Sequence, residues 1–580
     1  MKHTAALVSV SLLLGAAAPP PGQHRPHRPS PPRADNDSPV RCKTGTGGYR
    51  PGSAMPPRHY FAPPPAPPPP PPPMMAAPAP RAIVPGSAAD YTARRVAPSQ
   101  AAAAPYGSAD NRERYAGKEV AAVQSVATAP VSTFSVDVDT GAYSNVRRFL
   151  QKGQTPPAEA VRTEEMINYF RYDYPLPASR QQPFSVTTDV AQTPWNPDTR
   201  LVRIGLRGYD VTAQGRPAAN LVFLVDVSGS MSSDDKLPLV KRALTMLADK
   251  LTPKDRVSIV VYAGAAGVVL DPTSSPKHIR AALDCLEAGG STAGAAGLQL
   301  AYDIASANFI RGGINRIFVA TDGDFNVGVS DNKALEAMVK KYRDTGVTLT
   351  TLGFGEGNYN EALMEHIADL GNGNYAYIDS AMEAQKVLDD ELSASLFTIA
   401  KDVKVQVEFN PAQVSQYRLI GYENRALAEE DFDNDAVDAG DIGAGHQVTA
   451  LYEVVPTGAK GWLPDRRYDG NRPPAPSASG RELAFVKLRY KLPGEDTSRL
   501  IEKPVPASLL RTATAPRGDM AFATAVAALG QKLRGDKYLG GYSYAAIRGL
   551  AGNPQGYWRN EFLKLAQLAA VQEVRSASKE

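Results

Sequence analysis

The stretch Leu221-Val-Phe-Leu-Val-Asp-Val-Ser-Gly-Ser-Met231 decides the fold of this chain. Its five opening residues are apolar and include β-branched types, which predicts a strand buried on both faces. Oxygen-bearing side chains then follow at alternate positions, on Asp226, Ser228 and Ser230. Between residues 236 and 251, leucine and valine recur at helical spacing. Ligands of open α/β sheets bind at the carboxyl ends of strands, so this loop is a candidate binding site.

Two later loops supply further oxygen donors. Gly289-Gly-Ser-Thr292 precedes a predicted helix, and Arg316-Ile-Phe-Val-Ala-Thr-Asp-Gly323 is a second buried strand that ends in a carboxylate. In this order the three loops resemble those of the von Willebrand factor A domain, whose other expected elements all follow between residues 219 and 396. The resemblance implies a metal-ion-dependent adhesion site with five ligands: Asp226, Ser228, Ser230, Thr292 and Asp322.

The implied ligands are all hard oxygen donors, which favours Mg²⁺ over the alternatives Ca²⁺ and Mn²⁺. Only two of them are carboxylates, so a bound ion keeps enough positive charge to accept an external carboxylate. In A domains that group is a Glu or Asp of a protein ligand, and the resemblance implies a protein partner of this kind. Asp324, Asn326 and Glu356 lie on neighbouring loops, where partner selection and plain loop solvation explain them equally well.

Hydrolysis is the rival use of a bound metal, and it requires a general base or a second metal. The sequence contains no Gly-x-Ser-x-Gly elbow, Walker loop or His-Glu-x-x-His motif, so we do not expect an enzyme. A third class stays open, in which the A domain belongs to a structural or accessory scaffold subunit and the ion is not used for ligand binding.

Strands and helices alternate over residues 218–398, which predicts an α/β fold with a doubly wound, mostly parallel, Rossmann-like sheet and helices on both faces. A short strand at 267–270 is expected at the edge, antiparallel to its neighbour. Residues 129–217 and 399–510 contain strands of alternating polarity and predict a flanking antiparallel β domain, followed by a helical segment over 511–580.

The two flanking segments are expected to pair with each other, because the first alone leaves strand edges uncovered. Insertion of a domain between them is tolerated where its termini lie close together. Such flanks are similar to those of a group of bacterial envelope proteins. Alternation from Thr133 onward places Asp137 and Asp139 on the solvent face, where we expect a structural role.

The N-terminal part has two predicted segments. Residues 1–18 combine Lys2, an apolar core and an Ala-rich end, which is typical of a signal peptide. The core is too short to span a membrane. Residues 19–128 form a Pro/Ala-rich arm with 26 of the 50 prolines, so disorder is expected. The mature chain is therefore expected in the periplasm, outside the cell or in the cell envelope, without a transmembrane segment.

Charge and cysteine content limit the partners further. The net charge of +3 over 580 residues argues against nucleic-acid binding. Residues 19–124 hold 13 Lys or Arg against 6 Asp or Glu. This surplus suits weak contact with anionic envelope polymers, although a solvated linker explains it as well. Cys42 lies in the arm and Cys285 on an apolar helix face, so we expect no disulfide and a core role for Cys285.

Overall fold

The computed structural model describes residues 40–41, 113–211, 215–291, 294–323, 332–357, 359–390, 397–464 and 479–578. The predicted signal peptide and nearly all of the proline-rich arm lie outside these residues. The N-terminal flank contains, in order, β1 (Gln124–Ser125), β2 (Val131–Ser135), α1 (Gly141–Gln151), α2 (Thr163–Asn168), β3 (Phe184–Gln192) and β4 (Arg200–Gly208).

The A domain follows, with strands and helices in alternation. Its elements are β5 (Ala219–Asp226), α3 (Leu237–Ala248), β6 (Arg256–Tyr262), β7 (Ala266–Thr273), α4 (Pro276–Asp284), α5 (Gly294–Ala307), β8 (Ile314–Thr321), α6 (Asn332–Arg343), β9 (Thr348–Phe354), α7 (Glu361–Leu370), β10 (Tyr375–Ile378) and α8 (Ala381–Gln385). A π-helical turn, Lys386–Asp390, continues α8.

The A-domain sheet has the strand order β10-β9-β8-β5-β6-β7. All neighbours are parallel except β7, which is antiparallel to β6. Every residue of the central strand β5 is buried. Phe223 and Val225 belong to the core under α3, α4 and α8, whereas Val222 and Leu224 belong to the core under α5 and α6. The predicted doubly wound sheet with an antiparallel edge is confirmed.

Two residues of the arm extend this sheet beyond its edge. Val40 forms an antiparallel bridge with Leu270 of β7, and its side chain packs against the A-domain core. The backbone N–H of Arg41 donates to the carbonyl of Val269 at 2.9 Å. The Arg41 guanidinium also pairs with Asp271 at 2.7 Å. Residues 40 and 41 of the arm are therefore attached to the A domain.

Cys285 is disulfide-bonded, contrary to expectation. The sequence holds one other cysteine, Cys42, which follows directly on the paired residue Arg41 and itself lies outside the described residues. Our prediction treated the arm as unattached, but its pairing with β7 brings the chain beside α4, at whose end Cys285 lies half-buried. The cysteine is a tether rather than a core residue.

The C-terminal flank completes the chain with strands first and helices last. Its elements are β11 (Thr398–Phe409), β12 (Val414–Ile420), β13 (Ala426–Leu427), β14 (Gly440–Gly443), β15 (Gln447–Pro456), β16 (Glu482–Lys491), β17 (Arg499–Pro506), α9 (Ala507–Arg511), α10 (Gly518–Arg534), α11 (Tyr544–Ala551) and α12 (Tyr557–Ala577). Over the described part of the chain, no helix is both long enough and apolar enough to cross a membrane.

Strands from the two flanks share both remaining sheets. One has the order β1-β12-β15-β4-β3 and the other the order β13-β2-β11-β16-β17, with β14 added beside β11. In the first, β4 from before the A domain pairs antiparallel with β15 from after it. In the second, β2 pairs in the same way with β11. The main core fills the space between these sheets, and α1, α2 and α10–α12 form a further core with residues of the first sheet.

Asp137 and Asp139 are buried, each only 3% exposed, so their predicted position on the solvent face is wrong. Strand β2 ends at Ser135, and the alternation that placed both carboxylates outside does not continue beyond it. The Arg425 guanidinium lies 3.3 Å from Asp137 and 3.0 Å from Asp139. Asp139 also accepts the backbone N–H of Tyr375, in β10 of the A domain, at 2.9 Å.

Two arginines of the flanks join the A domain along an acidic face of α7. Arg162 contacts Glu361 at 2.6 Å and Glu365 at 2.9 Å, and Arg425 contacts Asp369 at 2.8 Å. The three acids are spaced four residues apart and therefore lie on one side of the helix. A second junction of this kind joins Arg147 of α1 to Asp379 and Glu383, beside and within α8. The A domain is thus held by ion pairs, of which those of Arg147 and Arg162 are buried, whereas that of Arg425 with Asp369 is partly open to solvent.

Candidate metal centre

Four of the five predicted ligands, Asp226, Ser228, Ser230 and Asp322, lie at the carboxyl edge of the A-domain sheet. Asp226 is the last residue of β5, and Asp322 follows the last residue of the neighbouring parallel strand β8. Both carboxylates are fully buried, at 0% exposure. Ser228 is 2% exposed, whereas Ser230 is open to solvent. The site therefore has a buried acidic base and an accessible side.

The first loop is fixed by its own hydrogen bonds. The backbone N–H of Ser228 donates to Oδ1 of Asp226 at 2.9 Å. The hydroxyls of Ser228 and Ser230 lie 2.9 Å apart, so their oxygens already converge. The backbone N–H of Gly229 donates to the carbonyl of Gly290 at 3.0 Å, which ties this loop to the one that leads to Thr292.

The second oxygen of Asp226 is oriented by two hydroxyl donors from neighbouring strands. Tyr262 donates to Oδ2 at 3.1 Å, and Thr321 donates at 3.0 Å. Burial raises the pKa of Asp226 to about 6, and the nearby charge of Asp322 also raises it, against the lowering effect of the hydrogen bonds. Bringing a cation to this carboxylate relieves both costs.

Lys236 is a residue of the site that the sequence argument missed. Its Nζ lies 2.9 Å from Oδ2 of Asp322, and its side chain is nearly buried, at 9% exposure. The lysine chain crosses Gly355, where an added Cβ would lie 2.3 Å from Cε of Lys236. Gly355 also has a φ of +69°, so a side chain is disfavoured there on both counts. The position of Lys236 before α3 was visible in the sequence, but its contact with Asp322, which follows β8, was not.

The residues present fit a hard divalent cation. Two buried carboxylates and one ammonium leave a net charge of −1 at the site, and the hydroxyls of Ser228 and Ser230 add neutral oxygen donors beside them. Oxygen-only sets of this kind suit Mg²⁺, Ca²⁺ or Mn²⁺ rather than metals that prefer nitrogen or sulfur. Thr292, the remaining predicted ligand, lies outside the described residues, as do Asp324 and Asn326 of the rim.

Glu356, the third predicted rim residue, contacts the N-terminal flank. Its carboxylate pairs with Lys152 and lies 3.5 Å from Arg148 of α1. The backbone N–H of the adjacent Gly357 donates to Glu113 at 3.0 Å, and Glu113 in turn pairs with Arg148 at 2.8 Å. The loop after β9 is therefore held by the flank. Glu113 is a second residue that sequence reasoning missed, since it lies in a segment expected to be disordered.

Comparison with family models matches three parts of the chain. The descriptions are "von Willebrand factor" over residues 109–203, "von Willebrand factor type A domain" over 221–324 and "Uncharacterized protein YfbK, C-terminal" over 394–571. The second match confirms the resemblance of the central segment to A domains.

Two curated relatives show how far the likeness extends. The uncharacterized protein YfbK of Escherichia coli is 50% identical over 461 residues, which cover 77% of this chain and 79% of that protein. The uncharacterized protein sll0103 of Synechocystis is 32% identical over 187 residues, covering 32% of this chain and 43% of that protein. The similarity to YfbK therefore covers about three quarters of each chain, whereas sll0103 shares a smaller part.

Among solved structures, a von Willebrand factor type A protein from Catenulispora acidiphila is 17% identical, with a TM-score of 0.36 over 66% of this chain and 88% of that one. The conserved hypothetical protein BatB from Bacteroides thetaiotaomicron is 24% identical, with a TM-score of 0.27 over 30% of this chain and 97% of its own.

Proposed function

Because the chain belongs to the YfbK family of von Willebrand factor A domain proteins, we propose that it binds a protein partner through a divalent cation at the ends of β5 and β8. A domains often mediate protein interactions and commonly bind a divalent metal. The observation that carries the proposal is the buried pair of Asp226 and Asp322 beside the hydroxyls of Ser228 and Ser230. The preferred ion is Mg²⁺, and the group recognised is a Glu or Asp of the partner.

The charges at the site explain why an acidic partner residue would bind there. Asp226 and Asp322 contribute −2 and Lys236 contributes +1, so the protein supplies −1. A divalent ion held there would supply +2 and turn the site to +1, which attracts a carboxylate. Because three hydrogen-bond donors already fix the Asp226 carboxylate, little conformational entropy is lost when the ion binds. Lys236 limits the negative charge without replacing an oxygen ligand.

We also place the protein in an exported, oxidising location, either periplasmic or extracellular. The disulfide of Cys285 supports this proposal, because disulfides persist in such compartments and are rare in the cytosol. The predicted signal peptide is consistent with the same location. Mass spectrometry of the envelope fraction checks it: we expect loss of residues 1–18 and a protein 2 Da lighter than its reduced form, whereas a cytoplasmic protein that retains Met1 would contradict export.

A second function is favoured by the way the A domain is held. Arg162 and Arg425 bind the acidic face of α7, and the loop at Glu356 is engaged by α1. A recognition module fixed to its neighbours in this way suits an accessory scaffold subunit of an envelope complex. In that case partner capture would not depend on the ion.

Metal titration tests the first proposal. Asp226→Ala removes a buried negative ligand, so Mg²⁺ binding should fall below detection in titration calorimetry. Thr292→Ala removes a neutral ligand that water can replace, so binding should persist at lower affinity. Asp344→Ala is the matched control, because this carboxylate is exposed and remote from the site loops in sequence. Equal Mg²⁺ affinity in all four proteins would mean that the site does not bind the ion.

Partner capture separates the two functions. The wild-type protein is incubated with envelope extract with and without a chelator, beside Asp226→Ala and Asp344→Ala. Metal-mediated recognition predicts capture by wild type and Asp344→Ala, and its loss with Asp226→Ala or the chelator. Capture of the same partner under every condition would favour the scaffold function.

A further inference from the structure

A cavity of about 240 Å³ lies where five parts of the chain meet, and none of the predicted metal ligands lines it. Its walls come from the start of α1, the end of α2, the turn after α8, the turn before β15 and the start of α12. Its lining includes Thr140, Arg171, Lys386, His446, Tyr557 and Trp558. The cavity therefore borders both the A domain and its flanks.

The charged side chains that line this cavity are all cationic. They are Arg171, Lys386 and Arg559, and no Asp or Glu is among the lining residues. Lys386 is only 7% exposed, and its Nζ lies 3.9 Å from the centre of the Tyr169 ring. Arg559 is partly balanced by Asp519 at 2.8 Å, and Lys386 by the nearby charge of Glu383, both outside the lining. The inner surface therefore favours a negatively charged guest.

His446 contributes a neutral imidazole to the same wall. Its Nδ1 accepts the backbone N–H of Gly443 at 3.2 Å. Burial lowers the pKa of His446 to about 3, and the charges of Arg171, Arg316 and Lys386 lower it further. Because burial is the main cause, His446 stays neutral and adds no negative charge to the wall that a bound anion would meet.

Hydrogen-bond donors with no partner also face this space. Thr140 is 6% exposed and precedes α1, yet its hydroxyl does not cap the helix and has no hydrogen-bond partner among the residues that the structure describes. The indole N–H of Trp558 likewise has none within the described chain. Helix α12 begins at the cavity without an acidic residue in its first turn, so its first backbone N–H groups add partial positive charge.

The aromatic residues of the cavity favour a guest of a particular shape. Tyr557 and Trp558 meet edge to face, with ring centres 4.8 Å apart and an interplanar angle of 88°. Tyr557 is 55% exposed at the start of α12, so its ring is accessible to a guest. A planar ring against these side chains gains stacking and burial, while its anionic group reaches the cations.

We propose that this cavity binds a small molecule that carries an oxyanion, phosphate or carboxylate, on a planar aromatic ring. The cations and Thr140 receive the oxyanion, and Tyr557 and Trp558 receive the ring. This site is independent of the ion bound by Asp226 and Asp322. It lies against Lys386, directly after the last helix of the A domain.

Phenyl phosphate is the probe that tests the proposal, with inorganic phosphate and phenol as its two halves. Binding to the full chain is measured by calorimetry and by quenching of tryptophan fluorescence. We expect saturable binding of phenyl phosphate that weakens with added salt, at least about tenfold tighter than binding of either half. Phenyl phosphate binding no tighter than inorganic phosphate would overturn the aromatic part, and absence of saturable binding at millimolar concentration would overturn the site.

Two variants and one control locate the binding. Lys386→Gln and Arg171→Gln should each weaken phenyl phosphate binding by about tenfold. Arg511→Gln, an exposed arginine outside the cavity, should leave it unchanged. Because Arg171 is exposed, its variant decides the matter if Lys386→Gln fails to fold. Wild-type affinity in a folded Arg171→Gln variant would contradict the assignment.

Discussion

The strands β5 to β10 of the A-domain sheet all come from residues 219–378, whereas each flanking sheet mixes strands from both sides of that domain. The A domain can therefore complete its sheet from one continuous segment. The flanking domain cannot, because β4 needs β15 and β2 needs β11. The A domain can therefore fold from one continuous segment, whereas the flanking domain depends on pairing between residues about 240 to 280 positions apart.

Separating the two flanks should have the largest effect. A segment of residues 215–396 should melt cooperatively, because its sheet and both helical layers are present. A segment of residues 397–578 should show no cooperative transition, because β11 and β15 lose the neighbours β2 and β4. Circular dichroism melts of both segments and of the intact protein make the measurement. A cooperative melt of 397–578 alone would show that the flanks do not need each other.

Breaking one buried ion pair between the regions should have the next largest effect. Arg162→Gln leaves Glu165, Glu361 and Glu365 buried without their common cation, and we expect a loss of about 3–5 kcal/mol in unfolding free energy. Arg499→Gln removes an exposed pair with Glu495 and should cost less than about 1 kcal/mol. Denaturant unfolding compares the two. Equal losses would mean that burial of the junction adds nothing.

Removing the disulfide of Cys285 should have a smaller effect. Cys285→Ser frees the arm from the A domain, and the loss of a long closed loop is expected to cost about 2–4 kcal/mol. Reduction of wild type should lower the melting temperature to that of the variant, and the reductant should not change the variant further. A variant as stable as the oxidised wild type would show that pairing at Val40 and Arg41 suffices to hold the arm.

The smallest effect is expected from the protonation of a single buried carboxyl group in the N-terminal flank. Glu164 of α2 is buried, and burial raises its pKa to about 8, aided by the charge of Glu423. Between its unfolded pKa, near 4.5, and about 8, the folded chain holds a proton that the unfolded chain releases. Stability from this group is therefore present below that window and is lost as pH rises through it.

Glu164→Gln should remove this dependence. Relative to wild type, the variant should gain on the order of 2 kcal/mol in unfolding free energy between pH 6.5 and pH 9. Exposed Glu159→Gln is the control and should follow wild type at both values. A wild-type slope in Glu164→Gln would assign the proton to another carboxyl.

Sequence reasoning succeeded where structure depends on neighbours along the chain. Burial of β5 on both faces and the convergence of Asp226 with Asp322 follow from strand patterns and from the rule for parallel sheets. Lys236 was missed because its contact with Asp322 depends on how the first loop crosses Gly355. No local pattern encodes that crossing.

The errors concern contacts between distant segments. Asp137 and Asp139 followed a strand-like pattern, but their partner Arg425 is supplied by the other flank. The acids of α7 are visible at four-residue spacing, yet a solvated helix face has the same spacing. Cys285 gave no signal of its bond, since the pairing of Val40 with Leu270 joins residues 230 positions apart. In each case the contact depends on how distant segments lie against each other in the folded chain, which no local sequence pattern reveals.

The attachment of the arm has a consequence for proteolysis. Arg41 pairs with β7, and Arg114 donates its backbone N–H to Tyr359 at 2.9 Å, so the intervening segment has both ends on the A domain. That segment is therefore attached at both of its ends. One proteolytic cut within residues 43–112 would divide the chain without releasing either piece, because the disulfide of Cys285 still joins them. Such a nicked protein would migrate as one species until it is reduced.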